Sequence, residues 1–235
     1  MVLGDHPTAF SVSNILIVYQ MLYDIRVSDV SSYKNAVIRH INTKKQADPS
    51  FTVVDVGGSV NGWSSSVVDA IVDMNAIQSG SPIRFFNVNI NDESSWASVL
   101  DYVRDNGKFS YAICSHTIED VCNPGLTLRM LPQIALSGTI AVPSKYREFS
   151  RIEGPYLGYI HHRWVYDVRN GSLIGYPKLG FLEYYPQLQA LGNKDAAKEQ
   201  LAFRWDGSIP HSFVNGDYLG PNVSSVIQYY SALLD

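Results

Sequence analysis

The feature that most constrains this chain is the change of hydrophobic period at residue 51. Phe51-Thr52-Val53-Val54-Asp55-Val56 is a short, β-branched run that stops at Gly57-Gly58. A strand buried on both faces reads this way, because neither face can carry polar groups. Similar short runs follow at Ala70–Asp73, Ile83–Val88, Phe109–Ser115 and Thr139–Val142, the last ended by Pro143. Between them, Ser94–Asp105 places Trp96, Val99, Leu100 and Val103 on one helical face, and Gly125–Leu136 reads as another helix. Strands alternating with helices at this spacing imply βαβ units and a parallel sheet. Residues 51–143 therefore predict an open α/β sheet within a single domain.

The flanks read differently. Residues 1–50 predict a helical cap: one helix capped by Ser13-Asn14 and running through Ile25, a second over Ser31–Ile41, then a polar linker from Asn42 to Ser50. Residues 144–235 predict a substrate-binding and sheet-completing region. There, Trp164–Val168 and Leu173–Tyr176 flank Asn170-Gly171, a strong hairpin signal. Pro186–Gln200 and Val223–Leu234 read as helices, Leu201–Trp205 as a strand, and a second Asn-Gly turn falls between Val214 and Asp217.

Composition narrows the function. With 18 Lys and Arg against 22 Asp and Glu, the formal charge is −4, which argues against a nucleic-acid partner, whose backbone is met by clustered basic residues. Two cysteines, Cys114 and Cys122, make no disulfide framework and match no zinc motif. No apolar run approaches the ~20 residues of a membrane span, and no secretory leader is read, so the expectation is a soluble, cytoplasmic protein without a membrane partner.

In an open parallel sheet, ligands bind beyond the carboxyl ends of the strands. The residues placed there are Asp55-Val56-Gly57-Gly58-Ser59, then Asp73, then Asn89, Asn91 and Asp92, then Ser115-His116-Thr117-Ile118-Glu119-Asp120. This order, from Val53-Val54-Asp55-Val56-Gly57-Gly58 through Asp73 to Ile113–Asp120 and on to Ser137–Pro143, resembles the class I S-adenosylmethionine-dependent methyltransferases over residues 51–143. The resemblance implies S-adenosyl-L-methionine as cofactor. It implies a Rossmann-like sheet in which Asp55, Gly57 and Gly58 hold the methionine part, with Ser59 in the same cofactor-binding turn, Asp73 holds the ribose, Asn89 or Asp92 sits by the adenine, and Ser115 and His116 lie near the methyl group. Three positions depart from the family pattern: Ser59 and Asn61 stand where its later turn glycines fall, and Asn89 where an acid is more common. A dinucleotide enzyme fits less well, since Gly57-Gly58 with Gly62 is not Gly-x-Gly-x-x-Gly.

A second constellation, Tyr159-Ile160-His161-His162-Arg163-Trp164, follows the last core strand. Methyl transfer to a hydroxyl requires removal of a proton, and histidine has the pKa for that task. His116, His161 and His162 are the candidate bases, with Glu119 as an orienting partner. Adjacent histidines entering a strand would point to opposite faces, leaving one of the pair at the site. A divalent metal held by His116, Glu119, Asp120 and His161 is conceivable but no spacing demands it, and no metal is expected. Lys145, Arg147 and Arg151 read as a solvated face, with an anionic acceptor as the lesser reading. Tyr and Trp enrichment after residue 145 suits stacking against sugar rings. The expectation is O-methylation of a carbohydrate (glycan) hydroxyl. The alternatives are methylation of another small molecule and a non-catalytic methyltransferase-like binding module, the latter motivated by Ser59 and Asn61.

Overall fold

The structure is a computed structural model that describes residues 21–75, 81–214 and 223–234. The expected first helix lies largely outside these residues, as does the second Asn-Gly turn.

Five strands form the parallel core: β2 (Val53–Val56), β3 (Ala70–Asp73), β4 (Arg84–Asn87), β5 (Phe109–Ser115) and β6 (Ala135–Pro143). β9 (Gln200–Asp206) pairs antiparallel with β6, and β1 (Tyr23–Ser28) pairs antiparallel with β9 at the edge. The order is β1-β9-β6-β5-β2-β3-β4. The chain thus starts the parallel sheet at β2, winds outward to β4, then returns to β5 on β2's other side. That reversal defines a doubly wound fold with its switch point between β2 and β5.

Period-two alternation assigns each strand's residues to two layers. Val54, Val56, Ala70, Val72, Ala112, Cys114, Ile140 and Val142 face the layer holding Trp96, Leu128 and Leu131. Val53, Ile71, Tyr111, Ile113 and Ala141 face Tyr33, Val37 and Ile41. The latter three recur every four residues on α1 (Val30–Ala47), which is capped by Asp29 accepting from the Ser32 amide. Helix α1 runs through most of the expected linker, because residues 42–47 supply its solvent face and Lys45 pairs with Asp69 at 2.8 Å. The expected helix up to Ile25 is corrected in its described part: Tyr23–Ser28 is strand, its backbone claimed by the open edge of β9.

Helices α2 (Ala97–Asn106) and α3 (Pro124–Ile134) cover the first face. No helix joins β2 to β3; residues 60–67 are turns. A short α4 (Lys145–Glu148) follows β6. A three-stranded sheet then forms from β7 (Trp164–Arg169), β8 (Ser172–Pro177) and β10 (His211–Phe213). Asn170 and Gly171 both have positive φ (50° and 70°), the signature of the tight hairpin turn their sequence predicted. The expected Pro186–Gln200 helix is reduced to α5 (Pro186–Leu191) and a 3₁₀ turn at Ala196–Lys198. With α6 (Val223–Ser231), these elements enclose a separate apolar cluster around Phe149, Leu157, Tyr176, Leu188 and Tyr230. No helix among the described residues is long and apolar enough to cross a membrane.

Gly57 closes β2 at φ +81°, and a Cβ there would run into the Thr117 side chain. Its amide donates to the Val72 carbonyl at 2.9 Å. We predict that Gly57→Ala lowers folding stability by about 2–4 kcal/mol, summing left-handed strain and overpacking. Thr117→Ala in the same chain should recover only the packing part. Chemical denaturation of the three variants checks this; full recovery, or no loss at all, contradicts it.

Candidate functional site

Beyond the carboxyl ends of β2, β3 and β5 lies a cavity of about 270 Å³, lined by Gly57, Asp73, Met74, Asn75, Val88, Asn89, Ile90, Asn91, His116, Thr117, Asp120 and Val121. It sits where the switch point leaves the strand ends uncovered. The Asp73 carboxylate accepts from the backbone and side-chain nitrogens of Asn75 (2.8 and 2.6 Å), both on one oxygen. Asn91 fixes the far wall by accepting from the Asn123 amide at 3.1 Å. The lining carries two carboxylates, one histidine and no Lys or Arg. Nor does a helix N-terminus point into the turn after Gly57, so the usual pyrophosphate cradle is missing here. Such a wall favours a ligand with a positive charge and hydroxyls over a polyphosphate.

Several sequence-predicted residues fall elsewhere. Asp55 is buried below the cavity, bonded to the Ser64 hydroxyl, and lies directly under Gly58, where a Cβ would meet its carboxylate. Gly58 and Ser59 belong to the same turn but not to the cavity wall. Asp92 caps the turn into α2, accepting from the Ser94 amide at 3.0 Å. The Ser115 hydroxyl is buried without a hydrogen-bond partner. Of the eight residues first assigned to the cofactor, Gly57, Asp73 and Asn89 line the cavity.

His116 does line it, at a left-handed φ of 52°. Its Nε2 lies 3.0 Å from Gln200 Oε1 and its Nδ1 3.3 Å from Glu119 Oε1. Glu119 is 1% exposed, and neither carboxylate oxygen has a well-aligned hydrogen bond. Burial lowers the His116 pKa, but the Glu119 contact and charge outweigh it, leaving the imidazole above its ordinary value. Both ring nitrogens of His116 are thus engaged by protein partners, which fixes the ring in the cavity wall. Glu119 contributes by holding it.

His161 and His162 lie in a turn before β7, not in the strand, which overturns the expectation of opposite faces. The turn is closed by the His162 amide donating to Tyr159 O at 3.2 Å. Both Nε2 atoms approach one oxygen of Asp120, at 3.8 Å for His161 and 3.6 Å for His162. His162 Nδ1 meets Glu148 Oε1 at 2.5 Å, and the other Glu148 oxygen accepts from Lys178 Nζ at 2.7 Å. His162 also lines a second cavity of about 380 Å³, with Glu148, Leu157, Lys178, Glu183 and the exposed Tyr156 and Tyr184 at its mouth. Asp120 and His162 therefore stand where the two cavities approach each other.

Glu148, Lys178 and Gln200 were missed by sequence reasoning, since nothing local marks them as buried partners of histidines far along the chain. Lys145, Arg147 and Arg151 are each paired, with Asp167, Glu199 and Glu183. Cys114 is buried and Cys122 exposed, both free.

No protein-family model and no curated protein matches the sequence. Among solved structures, the chain is similar to the methyltransferase domain of bacterial CtHen1-CN, at 10% identity over 74% of this chain and 97% of that one, with a TM-score of 0.41. It is also similar to a cyclopropane-fatty-acyl-phospholipid synthase-like protein from Lactobacillus casei (11% identity, 77% and 96% covered, TM-score 0.35). A third is the N-terminal domain of EvdMO1 with SAH bound (10% identity, 72% and 79% covered, TM-score 0.37). At these scores, none assigns a cofactor or a reaction to this chain.

The cavity floor yields a pH prediction. Burial raises the Asp55 pKa to about 6, despite the Ser64 hydrogen bond. A carboxylate whose folded pKa exceeds its unfolded value stabilises the fold below the unfolded pKa and loses that contribution as pH rises through the folded one. Ionised Asp55 thus costs about 3 kcal/mol at pH 7. Asp55→Asn should gain stability relative to the parent between pH 4 and 7, read as a widening difference in Tm; a pH-independent difference contradicts this.

Proposed function

We propose that this chain is an S-adenosylmethionine-dependent methyltransferase acting on a hydroxyl of a carbohydrate-class acceptor. The observation that carries the reading is the meeting of the two cavities at Asp120 and His162, 3.6 Å apart. The first cavity, with two carboxylates, one histidine and no Lys or Arg among its described lining residues, suits a cationic, hydroxyl-bearing cofactor. Gly57 offers backbone without a side chain in the way, the free oxygen of Asp73 is placed for ribose hydroxyls, and Asn89 offers an amide to an adenine edge. Val88, Ile90 and Val121 supply apolar wall. When bound, the cofactor supplies an electrophilic methyl group on a sulfonium.

The second cavity takes the acceptor. Tyr156 and Tyr184 give its mouth flat aromatic faces, and Glu148, Lys178 and Glu183 provide polar groups within. Such a mixture suits sugar rings, whose faces stack while their hydroxyls bond. His162 is the base. Glu148 fixes its tautomer by accepting from Nδ1, so Nε2 presents its lone pair at the junction, in the manner of carboxylate-oriented imidazoles generally. The cofactor would supply the methyl group to the acceptor oxygen, and His162 Nε2 would take the hydroxyl proton. Lys178 balances the buried Glu148 charge.

Incubation with methyl-labelled S-adenosylmethionine and a panel of mono- and disaccharides tests the reading. Label should appear in an alkali-stable ether. His162→Gln should lower kcat by about 10²–10⁴-fold, and Glu148→Gln should lower it in the same direction, with S-adenosylhomocysteine affinity unchanged in both. Parental turnover in His162→Gln, or label confined to esters or amines, contradicts the proposal.

A further inference from the structure

We propose that Asp120, His161 and His162 form a binding site for a borderline first-row divalent ion of the Zn²⁺ class. One ligand atom from each of the three residues lies within 4.8 Å of the others, and both imidazole Nε2 atoms converge on the same Asp120 oxygen at 3.6 and 3.8 Å. An ion bound at about 2.1 Å to each donor sets tetrahedral ligands roughly 3.4 Å apart. The two histidine–aspartate pairs need close by only a few tenths of an ångström, and the imidazole nitrogens, within 4.8 Å of each other, by up to about 1.4 Å.

The ring orientation points the same way. Glu148 Oε1 meets His162 at Nδ1, which leaves Nε2 as the nitrogen turned toward Asp120. At 3.6 Å that approach is too long for a hydrogen bond. Two imidazole nitrogens and a carboxylate oxygen therefore face one another, and among the described residues no Lys or Arg pairs with Asp120. A cation between them satisfies all three. Glu148 then plays the part of the carboxylate behind a metal-bound histidine, fixing its ring and raising its donor strength. Lys178 pairs with the other oxygen of that buried carboxylate at 2.7 Å.

The donor set selects the ion. Two imidazoles and one carboxylate suit Zn²⁺, Co²⁺ or Ni²⁺, whereas Mg²⁺ prefers oxygen ligands and water. His161 and Asp120 are 59% and 44% exposed at their side chains, so the remaining coordination positions stay open to solvent or a ligand. The set differs from the one weighed on sequence, which included His116 and Glu119; the structure engages His116 with Glu119 and Gln200 instead. An ion and a proton cannot share the His162 lone pair, so a loaded site withholds this nitrogen from the base role. That consequence rests on the methyl-transfer reading; the site itself does not.

Titration of the full chain with Zn²⁺, Co²⁺ and Mg²⁺ separately, by calorimetry and by Co²⁺ visible absorption, without cofactor or acceptor, tests the site. We expect one Zn²⁺ or Co²⁺ per chain, no Mg²⁺ binding, and intense Co²⁺ bands of low coordination number. His161→Ala and Asp120→Asn, both at exposed side chains, should each weaken Zn²⁺ binding at least tenfold at unchanged Tm. Glu148→Gln should weaken it by about 10- to 100-fold through the outer contact. Absence of Zn²⁺ binding, Mg²⁺ binding of equal strength, or affinity unmoved by His161→Ala would overturn the proposal. None of these outcomes depends on methyl transfer.

Discussion

Three hydrogen bonds from the start of the small sheet hold the loop after β5 in place. The Arg163 amide donates to Glu119 O at 2.7 Å, the Trp164 indole to Val121 O at 2.9 Å, and the Tyr166 hydroxyl to Ile118 O at 2.9 Å. This clamp joins the doubly wound sheet to the region built after residue 143. The same two regions also share a core, in which Tyr166 and Leu173 pack with residues of the large sheet. With the clamp, Asp120 is delivered to His161 and His162, and the loop's other face, carrying His116 and Thr117, becomes the floor of the first cavity. Buried side chains anchor the clamp at both ends, so the loop geometry is over-determined rather than left to solvent.

Charge organises the same region. Glu119 and Glu148 are each 1% exposed, and an unpaired ionised carboxylate at such depth carries a large desolvation cost. Each is met by a histidine, and Glu148 also by Lys178. The two pairs do different work. Glu119 holds an imidazole whose second nitrogen is also occupied, which makes His116 a fixed part of the wall. Glu148 holds one whose second nitrogen faces Asp120 at 3.6 Å, beyond hydrogen-bond distance. Geometry, not residue type, separates them.

Much of the fold was legible because its strands are buried on both faces. Val53–Val56, Ala70–Asp73 and Phe109–Ser115 announce themselves as short β-branched or aromatic runs, and the observed strands coincide with them. The Asn170-Gly171 hairpin was legible from turn chemistry alone. The edge strand β1 was missed although Met21, Tyr23, Ile25 and Val27 alternate with polar or shorter-range neighbours at period two; the same residues also satisfy a helical count when read with Leu22. The site was legible where it follows strand ends, as at Gly57, Asp73 and Asn89. It was illegible where partners are brought together by topology. Glu148 and His162 are 14 residues apart, and His116 and Gln200 are 84 apart. Asp55 shows the converse: an acid expected at the ligand lies beneath the turn that would hold it.

The account's central claim is that the switch-point cavity takes S-adenosylmethionine, and calorimetric titration with S-adenosylhomocysteine tests it most directly. We predict one site of micromolar affinity, weakened by at least tenfold in Asp73→Ala and retained in His162→Gln. Absence of binding in the parent chain, or binding that Asp73→Ala leaves unchanged, would contradict it.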